Sequence, residues 1–538
     1  MSIELDTVSY ALLASIFGAT AFLSLRSSHG SDIHPILLNS QADVSRIRHV
    51  GESATYRSRM YPNGSPLLST VDRNIRSLHE LFHVGIKKRF SQQPFLGQFN
   101  HADYQWASYD KTLGDVEALF RGLSAAVPGL QVKSNDASSF VGIYGHHSSS
   151  CHVHGWVTIP IGAKSTSSHI DHVIKTTGLK VLAVDTAHLD QILSLIPGTS
   201  VNTLILLNGA ASLVADKTVQ VLVLDDLVAK GQKLAPAELA VPDANTIASI
   251  NFSSASPSDP GVVLSHKNYV AAVASQGVTL PQQQRVGVND RFLCNLPIDN
   301  AFGYVLTLFF GCSGASVAFA PEYSQSERVA TYLETVAAAQ PTVFASTSPL
   351  LAVIRDHIEQ HYGGSFLFRR GYDKKLANME NGRLVTDSKY DMLVFRDIQR
   401  KVFGGKLRWI YLENDQDQVA PFFRAVMNAQ VIQVLNQTET CGTTTSSIFY
   451  DYQGHGTTVG VPLPCNEVKL MDAADQGYRC DDLPNPRGEV CVRGINVFQG
   501  YWQAPELTLD VLDADGWYMT GWLAEILPNG TLNLLGRK

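Results

Sequence analysis

The chain has 538 residues, more than one simple core accommodates, so several domains are expected. Its charged fraction of 17% lies below the usual quarter, its formal net charge is −7, and it has no long Lys/Arg run, which excludes nucleic-acid binding through a basic face. Seven scattered cysteines without a Cys-x-x-Cys read as free thiols in a reducing compartment, not as a disulfide framework or a zinc site.

Residues 8–25, VSYALLASIFGATAFLSL, carry no charge. As a helix they would span about 27 Å, close to the roughly 30 Å of a bilayer core. Glu4 and Asp6 precede the run and Arg26 follows it, whereas a secretory signal normally opens on positive charge. A retained N-terminal membrane helix (1–30) is the favoured reading. A cleaved signal and an interfacial or buried helix are the alternatives. The charge bias and the free thiols place the bulk of the chain facing the cytosol. Asn63, Asn251, Asn436 and Asn529 stand in acceptor sequons, so glycosylation at any of them would contradict that placement.

Residues 31–70 are polar and broken by Ser, His and Pro, and read as a linker or lead-in. From 71 to 246 short aliphatic runs (KVLAVDT, TLILLNG, VQVLVLDD) alternate with helical patterns such as DVEALFRGLSAAV. Such alternation predicts a parallel sheet covered on both faces. The stretch HHSSSCHVH, 146–154, holds four histidines and Cys151; a polar loop is favoured over a metal site. KGQKLAPAELAVPDANT, 230–246, reads as a linker.

A second alternating region runs from 247 to 460. Its predicted strands are ASVAFA, PTVFAS and LRWIYLEN; its predicted helices are SERVATYLETVAAAQ and SPLLAVIRDHIEQHY. Near its start, TIASINF approaches as a strand, FSSASPSDPG turns, and VVLSHKNYVAAVAS opens as an amphipathic helix. Loops of this kind grip phosphate through backbone N–H groups and hydroxyls. From 461 to 538 the texture becomes all-β, with NEVKLMD and GEVCVRG alternating and Asn529-Gly530 marking a hairpin.

The stretch 488–538 carries GEVCVRG, NVFQGYW, ADGWYMTGW, LPNGTL and GRK in succession. In this it resembles the adenylate-forming (AMP-binding) enzymes, and among them the long-chain fatty-acyl-CoA synthetases. Weaker similarity extends upstream to about residue 100. The resemblance implies the N-terminal domain of that family: two parallel-sheet α/β subdomains (71–246 and 247–460) and a smaller β-rich one (461–538). It also implies ATP-dependent adenylation of a fatty acid, with Mg²⁺, followed by attack of the CoA thiol.

Placed on the family's pattern, Ser253, Ser254 and Ser256 keep hydroxyls of the phosphate loop. Ala255 and Ser258 stand where glycines belong, Pro257 stands where a Ser/Thr belongs, and no lysine lies between Pro260 and Gly261. Proline removes an N–H, and the lost glycines remove close backbone approach. Thr438 and Glu439 match the phosphate contact and the Mg²⁺ carboxylate. Leu435 replaces the aromatic that stacks on adenine, and Val434 and Asn436 replace its flanking glycines. Trp522 occupies the place of the aspartate that holds the ribose hydroxyls; an indole offers one donor and no acceptor. Arg537 matches the ribose-contacting arginine, Gly536 replaces the hinge aspartate, Asn300 a histidine, and Ser348-Pro349 a Pro-Arg pair. The chain stops at Lys538, where the resemblance places the start of a small C-terminal lid domain that carries a catalytic lysine.

These departures lead to the expectation of a membrane-anchored acyl-CoA-synthetase-like protein with lost or much reduced ligase activity. It would bind a fatty acid or acyl-CoA, or a protein partner, and use no cofactor. The alternative is an active ligase that uses ATP and Mg²⁺ through atypical contacts; a truncated gene product is a third reading. The expected location is a membrane surface: endoplasmic reticulum, lipid droplet or peroxisome.

Overall fold

A computed structural model describes residues 7, 10–12, 14–15, 17–18, 31–61, 64–86, 90–100, 103–130, 137–145, 155–214, 219–235, 241–253, 258–297, 299–321, 323, 328–454 and 456–538. Two sheets organise them. The seven-stranded sheet runs, in spatial order, Val262–Ser265, Ile247–Asn251, Val157–Ile161, Phe140–Tyr144, Val181–Val184, Thr203–Leu206 and Gln220–Val223. Every neighbouring pair is parallel except Val262–Ser265, which runs antiparallel to Ile247–Asn251. Most of these strands are buried along their whole length, as parallel strands covered on both faces must be.

The second sheet has 15 strands. Its parallel centre is Ser316–Phe319, Arg291–Cys294, Val343–Thr347, Trp409–Glu413 and Gln430–Gln437. Beyond Gln437 the pairing turns antiparallel through Gly442–Ser446 and Thr458–Pro462. It continues through Leu532–Arg537, Tyr518–Ile526, Arg487–Gly494 and Asn466–Met471. The predicted strands within 180–226 and 315–414 form, and the predicted helices appear as Tyr109–Ala126, Val329–Ala339 and Ser348–Tyr362.

Three expectations are corrected. Residues 31–70 are no free linker: Tyr56–Ser58 pairs with Asn466–Met471, Arg57 bonds Glu467 at 2.6 Å, and Glu52 meets Lys469 in a buried ion pair. Strands also cross the linear division at 246/247. The hairpin Pro94–Asn100/Asp103–Ser108 joins the larger sheet, while Ile247–Asn251 and Val262–Ser265 complete the smaller one. An apolar run signals burial but not which sheet buries it. Finally, VVLS is a strand; the helix begins only at His266, where Ser265 and Asn268 form a reciprocal cap.

Among the described residues no helix is long and apolar enough to cross a membrane. The run 8–25 lies mostly outside them; its described residues are exposed helix. The histidine cluster 146–154 lies outside them entirely. The six described cysteines form no disulfide with one another.

Candidate functional site

The motif segments of the sequence converge where the two sheets meet. The loop 252–261 joins Ile247–Asn251 to the antiparallel edge strand Val262–Ser265 of the smaller sheet. Its stem pairs with a distant segment: Val263 N–H donates to Gly500 O at 3.1 Å, and Trp502 N–H to Gly261 O at 2.6 Å. On the larger sheet, Gln430–Gln437 runs into a single turn, Thr438–Thr440. Gly442 follows at φ 93°, where a Cβ would lie 2.8 Å from the Phe302 Cα; only glycine lets the turn sit on the helix Ala301–Cys312. Phe498 N–H donates to Glu439 O at 2.8 Å, and Gln437 Nε2 to Thr520 O at 3.0 Å, so the turn is tied to both C-terminal segments.

Glu439 is held by a phenol. Tyr501 Oη donates to its Oε1 at 3.0 Å, and the Tyr518 phenol lies near enough to feel its charge. Burial, and then the Glu439 charge, push both phenols above their ordinary range, so both stay protonated. Asp259 adds a second negative charge near Tyr501. Arg537 is the cation that faces Tyr518, and its guanidinium lies 4.6 Å from the centroid of the Trp522 ring.

The Trp522 ring is itself buried, and its Nε1 has no hydrogen-bond partner. Leu435 is fully buried in the same apolar cluster. Of the loop residues, Ser253 is half-buried and Ser258 exposed. Ser254, Ala255, Ser256 and Pro257 lie outside the described residues. Gly536 lies in the last strand, opposite Leu523.

Next to the turn is a group that sequence reasoning missed. Glu413 ends the parallel strand Trp409–Glu413, at the carboxyl edge where open α/β sheets place their ligands. Asn436 Nδ2 donates to its Oε1 at 2.5 Å, and Asn300 Nδ2 to its Oε2 at 3.2 Å. Asn300 also caps the helix Ala301–Cys312, its Oδ1 accepting from Phe302 N–H and Gly303 N–H at 3.0 and 3.1 Å. Burial raises the Glu413 carboxyl above the usual carboxylate range, and the two amides pull it partly back. The signal available was a lone acid ending an otherwise apolar strand. Ser348 is not drawn into this group; it bonds Asp417 at 2.9 Å instead.

The residues present do not fit a magnesium-bound triphosphate in the way the resemblance implies. Glu439 and Asp259 place two negative charges beside Tyr501, and the Arg537 guanidinium is committed to the Trp522 face. Trp522 supplies no acceptor for a ribose. Among the described residues, no group of three or more His, Cys, Asp or Glu gathers to hold a metal ion.

The profile described as AMP-binding enzyme matches residues 89–502. The chain belongs to this family. It is 28% identical to long-chain-fatty-acid–CoA ligase 5 of Mus musculus, over 97% of this chain and 76% of that protein. It is 26% identical to long-chain-fatty-acid–CoA ligase 1 of Cavia porcellus, with the same two coverages. Among solved structures it resembles the A domain of carboxylic acid reductase from Segniliparus rugosus, in complex with AMP and a co-purified carboxylic acid. The TM-score is 0.65 at 17% identity, over 87% of this chain and 76% of that one. It also resembles the long-chain-fatty-acid-CoA ligase FadD1 of Archaeoglobus fulgidus, with a TM-score of 0.66 at 16% identity, over 89% and 86% of the two chains. The α/β adenylate-forming fold of this AMP-binding chain is thereby established, and its relatives by sequence are acyl-CoA ligases.

Proposed function

We propose that this AMP-binding family member is an acyl-CoA-synthetase-like protein that binds a fatty acid or acyl-CoA in lipid metabolism, with ligase activity lost or much reduced. The observation that carries this reading is the stack of Arg537 on Trp522, with the indole buried where the resemblance calls for a ribose-binding carboxylate. Removing one preorganised donor from such a site costs on the order of 10²–10³ in rate. With the loop lysine absent as well, the combined loss would be on the order of 10⁴ or more. The reading includes attachment to a membrane through residues 8–25 with the bulk facing the cytosol, at the endoplasmic reticulum, a lipid droplet or a peroxisome.

The test is calorimetric titration of the full chain with Mg·ATP, with and without palmitate, and with palmitate alone. Saturable palmitate binding and no heat from millimolar ATP are expected. The retained Thr438–Glu439 pair favours one second reading, an active ligase with altered nucleotide contacts. Fatty-acid-dependent release of pyrophosphate would establish that reading and sink the first.

A further inference from the structure

Residues 366–406 carry ten Lys or Arg against five Asp or Glu, a local excess of five positive charges in a chain whose net charge is −7. They form a helical hairpin, Phe366–Glu380 followed by Asp391–Phe403, packed in one apolar cluster with strand residues Phe344 and Ile410 of the larger sheet. The two arms are locked together from inside. Phe368 meets Phe395 with ring centroids 5.6 Å apart. A Cβ on Gly371 would lie 2.8 Å from Tyr390 and 2.9 Å from Phe395, so glycine is what lets the arms close. The Lys375 ammonium and the Asp391 carboxylate form a buried ion pair that Asn428 completes.

The hairpin also exposes four large apolar side chains. Phe366 is 76% exposed, Leu393 63%, Met392 55% and Leu367 40%. Around them stand exposed cations. Arg400 and Lys401 share one carboxylate, Asp397, but among the described residues Arg370, Lys374, Lys389 and Arg396 have no ion-pair partner. Asp373 and Glu380 are the exposed acids of the first arm.

Asp32 also ties into this hairpin. Asp32 N–H donates to Gly382 O at 3.0 Å, and Leu384 N–H donates to Asp32 Oδ2 at 2.8 Å, in the connection between the two arms.

We infer that the outer face of the hairpin is a docking surface for an anionic lipid bilayer. Phe366, Leu367, Met392 and Leu393 enter the headgroup region, and the flanking Arg and Lys meet lipid phosphates and carboxylates. Large apolar side chains ringed by cations are the chemistry of interfacial insertion. Each exposed cation adds to the attraction toward an anionic surface, and that attraction fades with salt. A protein partner would need acidic groups set to this particular pattern, whereas a bilayer meets it at any orientation about the membrane normal. The inference concerns a face away from the cleft and does not rest on the proposed function.

The experiment uses the full chain carrying Leu393→Trp, an exposed position, with the unsubstituted protein as background. Vesicles contain phosphatidylcholine alone or with 30 mol% phosphatidylserine, with ordinary or acyl-chain-brominated phosphatidylcholine. The emission added by the substitution is expected to fall at least twofold in brominated anionic vesicles at low salt. It should be unaffected in vesicles lacking phosphatidylserine, and the quenching should disappear with Arg370→Glu/Arg396→Glu. Equal emission in brominated and ordinary anionic vesicles would overturn the inference, even if the protein floats with the vesicles through its N-terminus. So would quenching that survives the charge reversal, or quenching of the same size without phosphatidylserine. Unchanged thermal midpoints show that the variants are folded.

Discussion

The guanidinium of Arg537 rests on the ring of Trp522 with 4.6 Å between its central carbon and the ring centroid, and the two residues are also direct partners across the final hairpin. Cross-strand register thus puts a cation over an indole that is itself 9% exposed. Truncating such a ring leaves a cavity. Trp522→Ala is expected to cost about 3–5 kcal/mol, to which the lost cation–π contact adds roughly 0.5–1. Trp522→Phe keeps a ring and removes a buried N–H that has no partner, so its cost is expected to be about 1–2 kcal/mol. Urea unfolding of the two variants reads the difference directly.

Glu413 supplies a pH dependence. Its carboxyl is raised in the folded state, chiefly by burial. Between the unfolded and the folded values the folded chain therefore holds a proton that the unfolded chain has lost. The stability this contributes is present below the unfolded value and is lost as pH rises through the folded one. Glu413→Gln is expected to be more stable than the unsubstituted protein at pH 8, with the advantage fading toward pH 4. Unfolding midpoints between those limits check the sign.

His266 has the opposite slope. Burial, then the neighbouring His79, lowers it to about 4, and its Nδ1 accepts from Leu78 N–H at 3.3 Å. The unfolded chain binds the extra proton between the ordinary value of about 6.5 and that folded value. Stability is therefore fully present above 6.5 and falls as pH drops toward 4. The loss attached to this one ring is about 3 kcal/mol. His266→Asn keeps an acceptor and cannot take a proton, so its stability curve is expected to be flatter across that window.

The buried Lys375–Asp391 pair makes a sharper demand. Burial lowers the lysine and Asp391 pulls it back up. Lys375→Met strands a buried carboxylate and is expected to cost about 3–5 kcal/mol. Lys375→Met/Asp391→Leu removes both charges and is expected to recover much of that loss. A double-mutant cycle on thermal unfolding would refute this if the two single losses simply add.

The elements legible in the sequence are those whose pattern is local. Trp409–Glu413 and Val181–Val184 read as strands because continuous apolar runs of that length have few other uses. The Asn529-Gly530 hairpin is local turn chemistry. Legibility failed where the deciding partner is far along the chain. VVLS looked helical because the helix behind it lent its periodicity, whereas pairing with Ile247–Asn251 makes it a strand. The lead-in looked like a linker because Glu52 and Arg57 are polar, and their partners Lys469 and Glu467 lie more than 400 residues on. At the site, Glu439, Trp522 and Arg537 were legible one by one. The stacking of the last two, the phenols beside Glu439 and the Asn300–Glu413–Asn436 group were not, because each depends on sheet order.

The stem of the loop at 252–261 is closed by hydrogen bonds between Gly261 and Val263 on one side and residues 499–502 on the other. The two halves of that small ladder are made almost half a chain apart. During synthesis the smaller sheet can be complete in every other strand while its edge, Val262–Ser265, still waits for a partner that has not been translated. Until residues 499–502 emerge, that edge is an open strand of alternating backbone donors and acceptors. The nascent chain thus carries an adhesive edge that the finished protein covers with its own later residues, and a ribosome stalled before Gln499 would display it to whatever lies nearby.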